Sequence, residues 1–119
     1  MKVIIAGSRE GATLEDVDVA MILSGWEAQI IEVVSGRAPG VDRLGEIWGG
    51  RRGLRVVPFP ADWTRHGKAA GAIRNAQMAA YADALVAIWD GQSRGTKNMI
   101  ETAEAQGLQV YVYRLDHAR

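Results

Sequence analysis

Four separated segments carry residues suited to holding an anion. They are Ala6-Gly7-Ser8-Arg9, Ser35-Gly36-Arg37-Ala38-Pro39-Gly40-Val41-Asp42, Phe59-Pro60-Ala61-Asp62-Trp63 and Asp90-Gly91-Gln92-Ser93-Arg94-Gly95-Thr96. Glycine lets a ligand approach bare backbone N–H groups. Where a glycine turn feeds a helix, those N–H groups and the positive end of the helix dipole favour phosphate or carboxylate. Gly36 to Gly40 and Gly91 to Thr96 both have this form. Ser8, Ser35, Ser93 and Thr96 add hydroxyl donors, and Arg9, Arg37, Arg74 and Arg94 supply charge. Phosphate or pyrophosphate is the expected group. Trp63 and Trp89 offer flat faces on which a nucleobase can stack. Taken singly, each glycine has a plain reading as a tight turn, and Ser35 or Thr96 as a helix cap. Four such segments falling at one edge of a sheet would together form an anion site.

The elements that would place them there are readable from the apolar pattern. Five short runs, Val3–Ala6, Ile30–Val34, Leu54–Val57, Ala84–Ile88 and Val110–Tyr113, alternate with helix-length segments. This is the pattern of a parallel sheet covered by helices. The first and fourth runs lack polar alternation, as central strands do. The fifth alternates Val with Tyr and reads as an edge strand. Thr13-Leu14-Glu15-Asp16 resembles a capping box opening a helix that ends near Gly25. Further helices are predicted from Gly40 to Arg52, from Ala69 to Tyr81 and from Thr96 to Gln106, with Pro58–Lys68 the longest irregular piece. Short right-handed crossovers then give an α/β three-layer Rossmann-like sandwich, a five-stranded parallel sheet in order 3-2-1-4-5 with about four helices. A ligand crevice is expected outside the carboxyl ends of the strands, where the chain reverses direction between strands 1 and 4.

The bulk numbers narrow the function classes. A chain of 119 residues reads as one domain, 1–119, able to bury roughly two-thirds of its unfolded surface. The 14 basic and 14 acidic residues balance, so no overall field draws it to nucleic acid or an anionic membrane. Eleven of the basic residues are Arg, whose planar fork suits phosphate. Without cysteine there is no thiol chemistry, and His66 and His117 are too few and too separated for zinc. No signal peptide and no apolar run of about 18 residues is seen, so a cytoplasmic location is expected. Neither a Gly-x-Gly-x-x-Gly fingerprint nor a P-loop is present, which disfavours ordinary dehydrogenase and NTPase readings.

The ordered segments Ile5–Arg9, Ser35–Asp42, Pro60–Trp63, Gly71-Ala72-Ile73-Arg74-Asn75 and Trp89–Thr96 together resemble the YspA/cpYpsA-related branch of the SLOG superfamily. The resemblance covers nearly the whole chain and implies binding of a nucleotide or a nucleotide-derived, ADP-ribose- or NAD-like ligand. It implies a site built from Gly7, Ser8, Arg9, Ser35, Gly36, Arg37, Gly40, Asp42, Arg74, Asn75, Trp89, Asp90, Gly91, Ser93, Gly95 and Thr96. The superfamily also contains the Lonely Guy phosphoribohydrolases, to whose Arg-Lys-x-x-Met run Arg74-Asn75-Ala76-Gln77-Met78 is similar, placing Arg74 on their catalytic arginine. Their glutamate position, three after Thr96, holds Met99 here. A thioether takes no proton, so N-glycosidic hydrolysis would need another acid, with Asp42, Asp62 or Asp90, all in strand-end loops, the candidates beside Arg74. A third class, single-stranded DNA binding in the manner of the DprA proteins, is disfavoured by the neutral charge. Magnesium would enter only alongside a pyrophosphate, since no dedicated carboxylate cage is evident. Tyr111 and Tyr113 leave room for a homodimer.

Overall fold

Apolar runs without polar alternation bury on both faces, and two of them form the centre of the sheet. Strand β1 (Lys2–Gly7) pairs in parallel with β2 (Glu32–Ser35) on one side and with β4 (Ala84–Trp89) on the other. Strand β3 (Arg55–Pro58) extends the sheet beyond β2, and β5 (Gln109–Arg114) extends it beyond β4. The order is 3-2-1-4-5 with every pairing parallel, as the sequence predicts. The computed structural model describes residues 1–116, and His117 lies outside them.

Alternate side chains of each strand serve opposite layers. On one face Val3, Ile5, Val33 and Val86 meet Val17, Ala20 and Met21 of α1 (Leu14–Ser24) and Trp48 of α2 (Val41–Arg51). On the other, Ile4, Val34, Leu85 and Ala87 meet Met78 and Ala79 of α4 (Ala70–Tyr81) and Met99 and Ala103 of α5 (Arg94–Ala105). The expected capping box opens α1: Thr13 Oγ1 accepts the Asp16 N–H at 3.2 Å, and the Asp16 carboxylate accepts the Thr13 N–H at 2.8 Å. Left-handed Gly25 (φ 77°) closes it.

Two expectations shift. Ile30 and Ile31 precede β2, because Glu27–Gln29 winds a 3-10 turn and the Ile31 N–H is taken by the Met1 carbonyl at 2.9 Å. The segment predicted as irregular contains a single-turn helix, α3 (Trp63–His66), followed by a 3-10 turn at Gly67–Ala69. Asp62 nucleates α3 by accepting the Arg65 N–H at 3.0 Å, a side-chain cap that a short sequence window does not advertise. No helix among the described residues is long and apolar enough to cross a membrane.

Candidate functional site

The gathering of the strand-end loops starts at Gly7. A Cβ there would overlap the Ile88 carbonyl of β4, so only glycine lets β1 and β4 run this close at the switch point. The next residue ties three loops together. Ser8 is buried, its N–H donates to Ile88 O (3.0 Å), its carbonyl accepts from Val41 N (3.1 Å), and its Oγ accepts from Asp90 N (3.0 Å). Gly40, at φ 86°, completes the knot: a Cβ would stand 2.5 Å from both Ser8 O and Arg9 Cα.

Arg74 of α4 reaches across this junction. Its Nη1 donates to Gly36 O and its Nε to Asn75 Oδ1 at 3.0 Å. Gly36 is what allows the approach, since a Cβ would lie 2.6 Å from Arg74 Nη1 and 2.8 Å from Asp42 Oδ2. Asp42, 5% exposed, accepts the Ala38 N–H at 3.2 Å. Burial pushes its carboxyl from 3.8 up to about 6, against the opposing pull of the Ala38 N–H, Arg74 and the Gly7 N–H. Burial likewise lowers Arg74, while Asp42 opposes that effect and Arg9 adds to it. The result is a carboxyl that changes charge near neutrality beside a desolvated guanidinium.

Asn75, also buried, docks the start of α5 by donating from Nδ2 to Asn98 Oδ1 (2.9 Å) and Gly95 O (3.4 Å). The loop leading into α5 is shaped from within. Asp90 Oδ1 accepts the N–H groups of Gln92 and Ser93, both at 2.8 Å, and these bonds, the largest influence on it, hold its carboxyl below the usual value. Trp89 Nε1 donates to Ser93 O (3.1 Å). Thr96 Oγ1 bonds Ser93 Oγ (3.1 Å), and Ser93 does not cap the helix with its side chain. A Cβ at Gly95 would meet nothing within 4 Å, so open space lies beside the first turn of α5, and Arg94, Gly95 and Thr96 line it.

That space is a cavity of about 330 Å³ between α4, α5, the end of β1 and the loop from β2 into α2. Met78 and Met99 floor it, and Arg9, Lys68, Arg74 and Arg94 surround it. Asp42 is the one acid among its described lining residues. Trp63, 54% exposed, forms a wall near Gly71, whose added Cβ would sit 3.5 Å from the indole. A second hollow of about 160 Å³ adjoins, lined by Gly36, Arg37, Pro39, Pro60 and Ala61 and sharing Arg9, Ala38, Trp63 and Arg74 with the first.

Of the residues the sequence nominates, Gly7, Arg9, Gly36, Arg37, Asp42, Arg74, Asn75, Ser93, Gly95 and Thr96 line these hollows. The others do not. Ser8 and Gly40 are spent on the loop knot. Ser35 is buried and donates to Glu46 Oε2 at 2.7 Å. Asp90 organises its own turn. Trp89 and Gly91 face β5, where the Arg114 guanidinium lies 5.2 Å from the Trp89 ring centre and close to Gly91. Lys68, Ala72 and Asn98 line the cavity without having been nominated. For the first two the signal was there: Lys68, Gly71, Ala72, Asn75 and Met78 form one stripe at helical spacing.

Comparison with known proteins bears on the family and the fold. The family model described as YAcAr, the YspA, cpYpsA-related SLOG family, matches residues 1–66. The Gene 61 protein of Mycobacterium phage D29 is 40% identical over 84 residues, 66% of this chain and 67% of that protein. DNA processing protein A (DprA) from Streptococcus pneumoniae, known from an X-ray structure, superimposes with a TM-score of 0.73 over 93% of this chain at 19% identity. The chain spans about half of that protein (49%), and the likeness is one of fold.

Proposed function

Starting from a chain that belongs to the YspA, cpYpsA-related SLOG family, we propose that it binds a nucleotide or nucleotide-derived ligand at the carboxyl edge of its sheet. The observation that carries this reading is the imbalance of the cavity, where Arg9, Lys68, Arg74 and Arg94 face one buried acid, Asp42. Uncompensated cations around an open helix N-terminus stabilise a phosphate. In this reading phosphate meets Gly95, Thr96 and Arg94, and the base stacks on Trp63. Trp63 is a better platform than Trp89, whose ring is engaged with Arg114. Calorimetry against mono-, di- and cyclic nucleotides and NAD derivatives tests it. Binding that weakens on Arg94→Ala is expected, and silence across the panel from a folded sample overturns it. Binding to single-stranded DNA is the rival outcome, recognised by a steep fall in affinity as salt rises.

A hydrolytic reading has one observation in its favour, the Asp42 carboxyl held near 6 within reach of Arg74's field. Met99 occupies the cavity floor where the phosphoribohydrolases carry glutamate, and Glu101 is solvent-exposed away from the cavity lining. Asp42 is therefore the group to protonate a departing base or to hold the attacking water, with Arg74 on the phosphate. Chromatography for free base released from nucleoside monophosphates decides it. Release abolished by Asp42→Asn supports hydrolysis, and no release from a bound nucleotide leaves a binding protein.

A further inference from the structure

The two hollows meet at one side chain. Arg74 lines both, fixed at their boundary by its bonds to Gly36 O and Asn75 Oδ1, with Asp42 beside it. Each hollow also has cationic side chains that the other lacks: Lys68 and Arg94 for the larger, Arg37 for the smaller. Arg37 is held in an unusual backbone state, φ 62°, which is costly for a side chain with a Cβ. Its N–H donates to Ser35 Oγ (3.2 Å), its carbonyl accepts from Arg43 Nε (3.1 Å), and its Nε stands 3.6 Å from Glu46. Glu46 is itself held by Ser35 Oγ at 2.7 Å. The main chain at residue 37 is thus pinned on both sides, and its exposed guanidinium projects from a fixed point on the rim of the smaller hollow. Trp63 lines both hollows and so offers a stacking surface common to them.

Resting on the nucleotide reading above, we infer that the site takes a ligand with two separated anionic groups, one at the start of α5 and the other in the Arg37 hollow, with the nucleoside between them on Trp63. The ligand class is a nucleoside bisphosphate or a compound of equivalent charge spacing, and not a simple monophosphate. Arg9 and Arg74, common to both hollows, serve either group.

The probes are adenosine 5′-monophosphate and the 2′,5′- and 3′,5′-bisphosphates of adenosine, titrated calorimetrically at fixed ionic strength. The parent should bind the better bisphosphate about tenfold more tightly than the monophosphate, the value of one added charge-assisted contact. In Arg37→Asn, chosen because Asn tolerates positive φ, that ratio should fall to near one, and Arg37→Lys should restore part of it. Arg94→Ala should weaken both compounds and keep the ratio. A ratio near one in the parent, or one that survives Arg37→Asn, overturns the inference while the nucleotide reading stands. Failure of all three probes to bind the folded parent overturns this inference, and silence of the wider panel of nucleotides and NAD derivatives as well removes the nucleotide reading with it.

Discussion

Replacing Asp42 by Asn should make the protein more stable at pH 7.5, an unusual direction for a buried polar residue. Burial holds the folded-state carboxyl at about 6 against 3.8 in the unfolded chain. Below the lower value both states carry the proton and the group is neutral in its effect. As pH rises the unfolded chain ionises first while the folded one keeps its proton, so stability is lost through the window up to about 6 and is flat above it. At about 1.4 kcal/mol per pH unit, the ionised carboxylate costs the folded state about 3 kcal/mol at pH 7.5. An amide escapes that cost but cannot accept at both positions where N–H groups of Gly7 and Ala38 now meet the carboxyl, a loss of about 1 kcal/mol. The net gain is about 2 kcal/mol, or a Tm higher by roughly 6–10 °C. Urea denaturation of parent and variant at pH 4, 5, 6 and 7.5 measures it. The difference between the two proteins should grow from pH 4 to pH 6 and then level off. A variant less stable than the parent at pH 7.5, or a constant difference across the series, refutes the reasoning. A carboxyl kept at such a cost inside a cationic cavity is better explained by a role in the site than by the fold.

Gly7→Ala should destabilise by about 3 kcal/mol or more, because the new methyl meets the β4 backbone at Ile88 O and no side chain can yield; thermal unfolding by circular dichroism reads the loss. Trp63→Ala removes an exposed ring, so unfolding should shift by no more than about 0.5 kcal/mol while nucleotide affinity falls about tenfold and affinity for inorganic phosphate does not follow. Parallel calorimetry with the two ligands checks that contrast. Arg94→Ala, at an exposed helix start, should reduce anion affinity about tenfold and flatten its dependence on salt, measured between low and moderate ionic strength.

The sheet was legible because its signal is redundant. Val3–Ala6 and Ala84–Ile88 have no polar partner to offer solvent, and the lengths between strands admit little besides right-handed helical crossovers. The site was legible only to the level of the loops. Gly40 and Gly95 look alike in sequence, each a glycine at the opening of a helix, yet one closes on Ser8 and Arg9 while the other faces open space. A glycine that admits the protein's own backbone has the same local signature as one that admits a ligand, and only the tertiary arrangement separates them. Trp89 misleads in the same way. Its position at a strand end suits stacking, but Arg114, 25 residues later in the chain, already occupies its ring. Trp63 became the exposed platform because Asp62 caps a single helical turn that holds the indole over Gly71. Ala72 shares a helical-spacing stripe with Asn75 and Met78, but a run of small residues in α4 reads equally as close packing.

Amide chemical-shift mapping by two-dimensional NMR on the labelled protein, titrated with adenosine 5′-monophosphate at pH 7, addresses the central claim most directly. Saturable shifts concentrated at Gly7, Ala38, Asn75, Gly95 and Thr96 are predicted, with α1, α2 beyond its first turn and the amino ends of the strands silent. Saturable shifts centred on those silent surfaces, or none at millimolar nucleotide, would contradict a nucleotide site at the carboxyl edge of the sheet.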